Sequence, residues 1–462
     1  ATIAVLPFDD LSGAQEDEYF SAGMSEELMT MLGRVPGLRV APRTSASVLK
    51  ARAADAREIG RELGVAYVLA GGVRAAGDRL RVTARLVSCT NGFQVWSEEY
   101  QADRRDVFAV QERISSAIVR SLRLHLVDTA QIVVQHRTDP ATYDLYLKGR
   151  YFWNQRDQPG LATAVKYFAQ AVERDSLFAA AWSGLGDAYS MIGVFGYAPP
   201  RDVFPRARSA IARALALDPS SAEGHTSLGI VRLFYDWDWA GARRELDLGV
   251  GLDSSYSPAR LFRAWYFVAV DSLPSALGEI QAAQVLDPLS LIIGTRVATM
   301  LALAGRFDDA VTQARRVLEL DSAFLPAQVE VALDLAWSGK CEQALDVSRG
   351  LPVSKDSDNV MGTQAVAFAS CAEPQAALDP LHHFEEERRR RYVSPFMIAP
   401  VYAALGDERR TFAWLDTAFA DHTWYLVQLR QDPNYRPYRR DPRFASLLQR
   451  IGLSPVGRQD SR

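Results

Sequence analysis

Cysteine is scarce. Cys89, Cys341 and Cys371 are the three in 462 residues, too few for a disulfide scaffold and without the C-x-x-C spacing of a zinc site. Histidine is nearly as rare: of six, only His382 and His383 are neighbours. Adjacent residues on a helix point about 100° apart, so the two read as a solvated face and not as a chelating pair. No stretch reaches the roughly 20 uninterrupted apolar residues of a membrane-spanning helix. An excess of one charge is missing too. The 52 Lys and Arg against 56 Asp and Glu leave a formal charge of −4, without the basic stripe that nucleic-acid binding requires. There is no G-x-x-x-x-G-K-[ST] phosphate loop, H-E-x-x-H, EF-hand loop, G-x-S-x-G elbow or kinase H-R-D and D-F-G set. The sequence therefore assigns no catalytic residue, no cofactor and no metal ligand. No signal-peptide pattern opens the chain, because Ala1 leads almost at once into the strand-like run Ile3 to Phe8. A chain that starts inside a strand, without an initiator Met, is expected to be a trimmed piece of something longer.

What is present falls into two grammars. Residues 1–127 alternate strand-like and helical runs. Ile3 to Phe8 reads as a buried strand, closed by a turn at Asp9-Asp10-Leu11-Ser12-Gly13. Met24, Leu28, Met31 and Leu32 fall at helical spacing within Ser21 to Leu32, and Leu38 to Ala41 is a short strand. Thr44 and Ser45 are expected to cap a brief helix to Ala51, and Asp55 the next, to Leu63. Ala66 to Val73 is a third strand, where Gly71-Gly72 marks a bulge or a close backbone approach. Gly77-Asp78 and Asn91-Gly92 then set off Leu80 to Val87 and Phe93 to Tyr100 as hairpin strands. Asp106 is expected to cap a closing helix with Val107, Val110, Ile114, Ile118 and Leu122. The expectation is an α/β domain with a mixed sheet.

From Asp139 onward the chain is almost wholly helical and internally repeated. Ala164, Ala207, Ala242, Ala276, Ala310 and Ala344 recur at spacings of 43, 35, 34, 34 and 34. Five of these segments end at Asp175-Ser176, Asp218-Pro219, Asp253-Ser254, Asp287-Pro288 and Asp321-Ser322. Large residues (Phe168, Ile211, Leu246, Ile280) follow four positions on, and small ones (Ala171, Ala214, Gly249, Ala283) seven positions on. That spacing gathers all three on one helical face, where small side chains let a neighbouring helix approach closely. The extra length of the first interval falls at 194–202, with Pro199-Pro200, as a loop insertion.

Trp182-x-x-Leu185-Gly186-x-x-Tyr189, followed by Ala207, Ile211, Ala214 and Pro219, resembles the tetratricopeptide-repeat pattern nearly in full. Gly305-Arg306-Phe307-x-x-Ala310 and Gly339-Lys340-x-x-x-Ala344 keep its inter-helix turn. Gly406-Asp407 with Trp414, Leu415 and Ala418, and the stretch Ala377 to Phe384, are degenerate copies. The N-terminal stretches Ile3 to Phe8, Tyr19-Phe20-Ser21-x-Gly23-Met24-x-Glu26-Glu27-Leu28, Glu58 to Leu69 and Trp96-Ser97-Glu98-x-Tyr100 resemble the TolB amino-terminal-like (FlgO-like) domain. The resemblances imply an α+β protein overall. They divide it into an α/β domain at 1–127, a linker at 128–139, a right-handed tetratricopeptide solenoid of about seven or eight hairpins at 140–440, and a capping helix and tail at 441–462. They imply a non-catalytic interaction module behind a signalling effector: a Ser/Thr kinase, a nucleotide cyclase or a winged-helix domain. The alternatives are a free-standing exported envelope scaffold, and the regulatory part of a kinase or cyclase whose catalytic domain lies outside this chain.

In the tetratricopeptide pattern the first helix of each repeat lines an inner face, which places Leu233, Phe234, Leu261, Trp265, Leu303, Leu333 and Trp337 in an apolar groove. The partner expected there is a hydrophobic protein or peptide segment, or the array's own ends. Packing between superhelical turns is the competing explanation for the same residues. The run Phe234-Tyr235-Asp236-Trp237-Asp238-Trp239 suggests a lid or a domain interface. Glu385 to Arg391 reads as i,i+4 ion pairs on a solvated helix. Cys341 and Cys371 flank the turns of successive repeats, close enough for a possible disulfide. That bond would favour an oxidising compartment, hence an expected extracytoplasmic location, with a cytoplasmic one as the alternative and the membrane reached only through an upstream span or anchor.

Overall fold

A computed structural model describes residues 1–12, 18–33, 35–77, 79–103, 106–122, 138–352 and 358–453. The turn residues Gly13 and Asp78, most of the expected linker, and the tail from 454 lie outside the described residues. The chain forms two compact units. The first comprises Ala1–Ala188, Ala210–Pro219 and Leu286–Leu289; the second comprises Tyr189–Ser209, Ser220–Val285 and Ser290–Arg462.

The first unit holds the sheet. Strands β1 (Thr2–Val5), β2 (Asp9–Asp10), β3 (Arg39–Val40), β4 (Tyr67–Ala76), β5 (Arg79–Ser88) and β6 (Gln94–Asp103) run in the order β3-β1-β4-β5-β6, with β2 paired to β4. β1 is parallel to both neighbours, whereas β4, β5 and β6 are antiparallel. Mixed pairing is what the alternating grammar implies. Asp9-Asp10 is a short strand and not only a turn, although Asp10 still accepts the Ser12 backbone N–H at 2.8 Å. Gly71 sits where a Cβ would stand 2.3 Å from the Thr83 carbonyl oxygen, so the close-approach reading of that glycine has its physical cause. At the other end β6 is solvent-facing for most of its length, with Phe93 beside it 72% exposed.

Helices α1 (Glu18–Gly33), α2 (Arg43–Ala51), α3 (Ala56–Leu63) and α4 (Val107–Ser121) complete the α/β part. Asp55 caps α3, accepting the Arg57 and Glu58 backbone N–H groups. Thr44 and Ser45 do not cap α2. Its N-cap is Pro42, without a side-chain bond, and both hydroxyls instead donate to the carboxylate of Asp287, which belongs to this same unit.

The first unit does not stop at 127. It continues through α5 (Pro140–Gln155) and α6 (Gln158–Arg174). The reason lies in α1 and α5. Gly23 leaves room for Leu147, whose Cδ2 stands 2.5 Å from where a Cβ would be. Arg150 pairs with Glu26, Arg43 donates to Asn154 at 2.6 Å, and Tyr146 donates to Glu27 at 3.2 Å. Although burial works the other way, Arg150 and Arg43 hold the Glu26 carboxyl below its ordinary value.

Helices α7 (Ala179–Val194) and α8 (Pro200–Leu217) leave only residues 195–199 between them, a shorter break than the expected insertion. The second unit then stacks antiparallel hairpins. They are α9 (Ala222–Val231, prolonged by a π turn Arg232–Asp236) with α10 (Trp239–Leu252), α11 (Ser257–Ala269) with α12 (Leu273–Leu286), and α13 (Leu291–Leu303) with α14 (Phe307–Leu320). Next come α15 (Leu325–Trp337) with α16 (Cys341–Gly350), α17 (Asp358–Ser370) with α18 (Pro374–Glu387), and α19 (Ala399–Ala404) with α20 (Glu408–Ala420). α15 packs on both α13 and α17. Ala242, Ala276, Ala310 and Ala344 are fully buried at the close approaches. The hairpins have the form and period of tetratricopeptide repeats.

A left-handed backbone residue closes the turn of each of these hairpins: Trp237, Asp271, Gly305, Gly339, Ala372 and Gly406. Only glycine adopts that conformation without strain. Beyond α20 the chain changes character. Two 3₁₀ turns, Trp424–Gln428 and Pro433–Tyr438, precede α21 (Pro442–Arg450), which Asp441 caps.

Candidate partner-binding face

The seven residues expected to line an open groove are not open. Leu233, Phe234, Leu261, Trp265 and Leu303 are buried, and Leu333 and Trp337 are half-buried. The side chains that cover several of them come from the chain's own C-terminal turns. Trp424 lies 5.3 Å from the Phe234 ring and 5.6 Å edge-on from Trp265. Trp337 donates its indole N–H to Asn434 at 3.1 Å. Leu333 packs into the next repeat, against the cluster of Ala365, Val366 and Leu381. Of the occupants the sequence left open for this groove, the structure supplies the array's own end and inter-repeat packing. Its apolar face is spent on residues 424–438 and on inter-repeat packing, for the elementary reason that large apolar side chains leave water when cover is within reach.

The aromatic run after α9 clasps the same C-terminal region. Tyr235 lies 4.9 Å from the His422 ring, Trp237 stacks on His422 at 4.6 Å, and Trp239 donates to the Ile451 carbonyl at 3.1 Å. Sequence reasoning allowed the array's own ends as cover but did not single out residues 422–438. The available signal was the apolar run Trp424-Tyr425-Leu426-Val427 lying beyond the last helical period and ahead of Asp432-Pro433.

Polar groups lie inside the same unit. Glu330 and Asp334, one turn apart on α15, are 8% and 0% exposed. Burial pushes the Glu330 carboxyl up to about 7 against the pull of Arg296. Burial, and then Glu330, raise Asp334 well above the ordinary carboxylate range. Neither Asp334 oxygen has a hydrogen-bond partner among the described residues. Asp432 is likewise pushed up to about 7 by burial.

Cys341 and Cys371 are joined in a disulfide, their Cα atoms 5.2 Å apart, while Cys89 is a buried free thiol. Glu386–Arg390 and Glu387–Arg391 are i,i+4 pairs, and Arg391 also reaches Asp358 at 2.7 Å. Among the described residues no group of three or more His, Cys, Asp or Glu side chains is arranged to hold a metal ion. No helix among them is long and apolar enough to cross a membrane.

Residues 1–119 match the family model described as HilA/YgeH-like transcriptional regulator, second domain. Over 233 residues the chain is 34% identical to putative adenylate cyclase 3 of Rhizobium meliloti (strain 1021), a match covering 50% of this chain and 40% of that protein. The chain thus spans less than half the length of this curated relative. Among solved structures, a thermophilic TPR protein of Thermus thermophilus is similar at a TM-score of 0.37 and 16% identity, covering 42% of this chain and 98% of that one. The human IFIT1 dimer with m7Gppp-AAAA is similar at 0.48 and 12%, covering 68% and 77%. The repeat assignment rests on the 34-residue period and the hairpins, not on these scores.

Proposed function

We propose that this chain is a non-catalytic interaction module, the regulatory arm of a bacterial signalling protein. The observation that carries the reading is that both sequence likenesses are to parts of larger proteins named for another activity: a domain of a transcriptional regulator, and 40% of a putative adenylate cyclase. The α/β domain, read by its motifs as TolB amino-terminal-like, is the signal-facing module. The hairpin array is the scaffold that passes a partner's presence to the effector, with the outer and turn surfaces as its available faces, since the inner one is filled. An extracytoplasmic location fits the Cys341–Cys371 bond, because such bonds persist in oxidising compartments.

The test is the intact mass and peptide map of the native protein from its source cells. A larger species carrying a cyclase, kinase or DNA-binding module is the expected result. A species starting near Ala1 after a cleaved leader would replace this reading with that of an exported envelope scaffold. Nucleotide cyclisation or hydrolysis by the purified chain alone would overturn the non-catalytic part.

A further inference from the structure

Arginine dominates the basic charge of the C-terminal hairpins, and most of it is neutralised locally. Arg388, Arg391, Arg410, Arg430, Arg443 and Arg450 each hold a carboxylate within ion-pair distance. Arg436 and Arg439 do not. Neither guanidinium makes an ion pair or a side-chain hydrogen bond among the described residues, and the Arg439 Nε is buried without a partner. They project from the 3₁₀ turn Pro433–Tyr438 and its C-cap. Residues three apart in such a turn eclipse one another, rising only about 6 Å along its axis. Two like charges thus share one side. Burial, and then the Arg436 charge, lower the Arg439 pKa.

The arrangement is held and does not simply float. The Arg436 guanidinium lies over the Phe307 ring, 5.3 Å from its centroid, and close beside Gly305 in the α13–α14 turn. The acids that face the pair are already engaged. Asp271 accepts from Arg430 at 3.2 Å and from Gln431 at 2.8 Å. Asp432 is 1% exposed and accepts the Asn434 backbone N–H at 2.8 Å. Arg440, next in the chain, is exposed and makes no ion pair among the described residues.

We propose that Arg436 and Arg439 form a binding site for a phosphoryl group. A carboxylate has two oxygens and fills one guanidinium fork. A terminal phosphoryl group has three and can bridge two guanidinium forks borne by neighbouring residues of one turn, a pairing that arginine serves better than lysine. The site lies along the row of inter-helix turns and not in the filled inner face, and it stands independently of the signalling role.

The phosphoryl group could belong to a soluble metabolite or to a lipid headgroup, and two arms separate these. The full chain is titrated calorimetrically with inorganic pyrophosphate in chloride buffer, and co-sedimented with phosphatidylglycerol vesicles. Saturable binding in at least one arm is expected. Arg436→Gln and Arg439→Ala should each weaken it at least about tenfold, the loss of a charged bidentate contact. Arg389→Ala and Arg409→Ala, which remove the same charge from exposed positions, should leave it unchanged. Arg436 is exposed, so Arg436→Gln keeps the test informative if Arg439→Ala unfolds. Absence of binding in both arms, or equal weakening by the Arg389 and Arg409 variants, would overturn the site.

Discussion

Two sets of hairpins in the second unit solve one backbone problem differently. The turns at Gly305, Gly339 and Gly406 use glycine for their left-handed residue, whereas those at Trp237 and Asp271 place a side chain there at φ of 53° and 63°. A left-handed non-glycine residue costs roughly 1–2 kcal/mol, so something must offset it. At Trp237 the ring stacks on His422, and at Asp271 the carboxylate binds Arg430 and Gln431. Both side chains hold the C-terminal segment that fills the inner face. The difference teaches that strain is kept where the left-handed residue's own side chain is the anchor, and is removed by glycine where a neighbouring residue makes the contact, as Trp337 does beside Gly339. Ala372 is the exception, since no contact accounts for its left-handed conformation.

The largest expected effect comes from removing the bond that links the α15–α16 and α17–α18 turns. Replacing Cys341 or Cys371 with serine opens a crosslink spanning 30 residues, which should cost about 3.5 kcal/mol by loop-closure entropy. Urea unfolding with and without reductant measures it, and a reductant-insensitive midpoint would mean the bond contributes nothing. Next, Trp424→Ala takes cover from Phe234 and Trp265 and should cost about 3 kcal/mol, read as a lower thermal midpoint. A partner peptide that binds only this variant would show that the filled face can be exchanged.

The pH dependence follows in size. Glu330 and Asp432 carry carboxyls raised to about 7, and burial raises Asp334 well above the usual carboxylate range. Such groups bind their proton more tightly folded than unfolded. Their stabilisation is therefore full below the unfolded value of about 4, and is lost as pH rises toward 7, at up to about 1.4 kcal/mol per pH unit for each group. Glu330→Gln should flatten that slope in unfolding curves taken between pH 4 and 8. An unchanged slope would place the titration elsewhere.

The smallest effects sharpen the comparison most. Ala372→Gly should stabilise by about 1 kcal/mol, and Gly339→Ala should destabilise by a similar amount. Asp271→Gly should gain nothing despite relieving the same strain, because its anchor is lost. Equal gains at 372 and 271 would refute the anchoring account.

How far the chain could be read in advance depended on whether a signal was local. The period, the buried alanines and the glycine turns repeat within 34 residues, so they show in the sequence itself. Anchors did not show. Trp237 and Asp271 look like ordinary surface residues until their partners, more than 150 positions later, come round. The same distance hid the role of Thr44 and Ser45, which meet Asp287 instead of capping their own helix. The inner-face residues could be recognised as apolar, but whether a partner, the array's own end or neighbouring turns cover them could not be chosen from the pattern. A segment of 3₁₀ turns broken by Pro433 and Pro437 has no 3.6-residue periodicity by which to recognise its buried side.

The uncovered strand at the end of the sheet bears on solubility. β6 offers ten residues of edge backbone with no proline and no lysine, the features that usually stop one copy from adding to another. Its protection is of another kind. Glu98, Glu99 and Asp103 lie from its middle onward. Two copies laid edge to edge in antiparallel register there bring carboxylates opposite carboxylates, which repel. Acidic solution, which neutralises these groups, is therefore the condition under which this chain should begin to self-associate through its sheet.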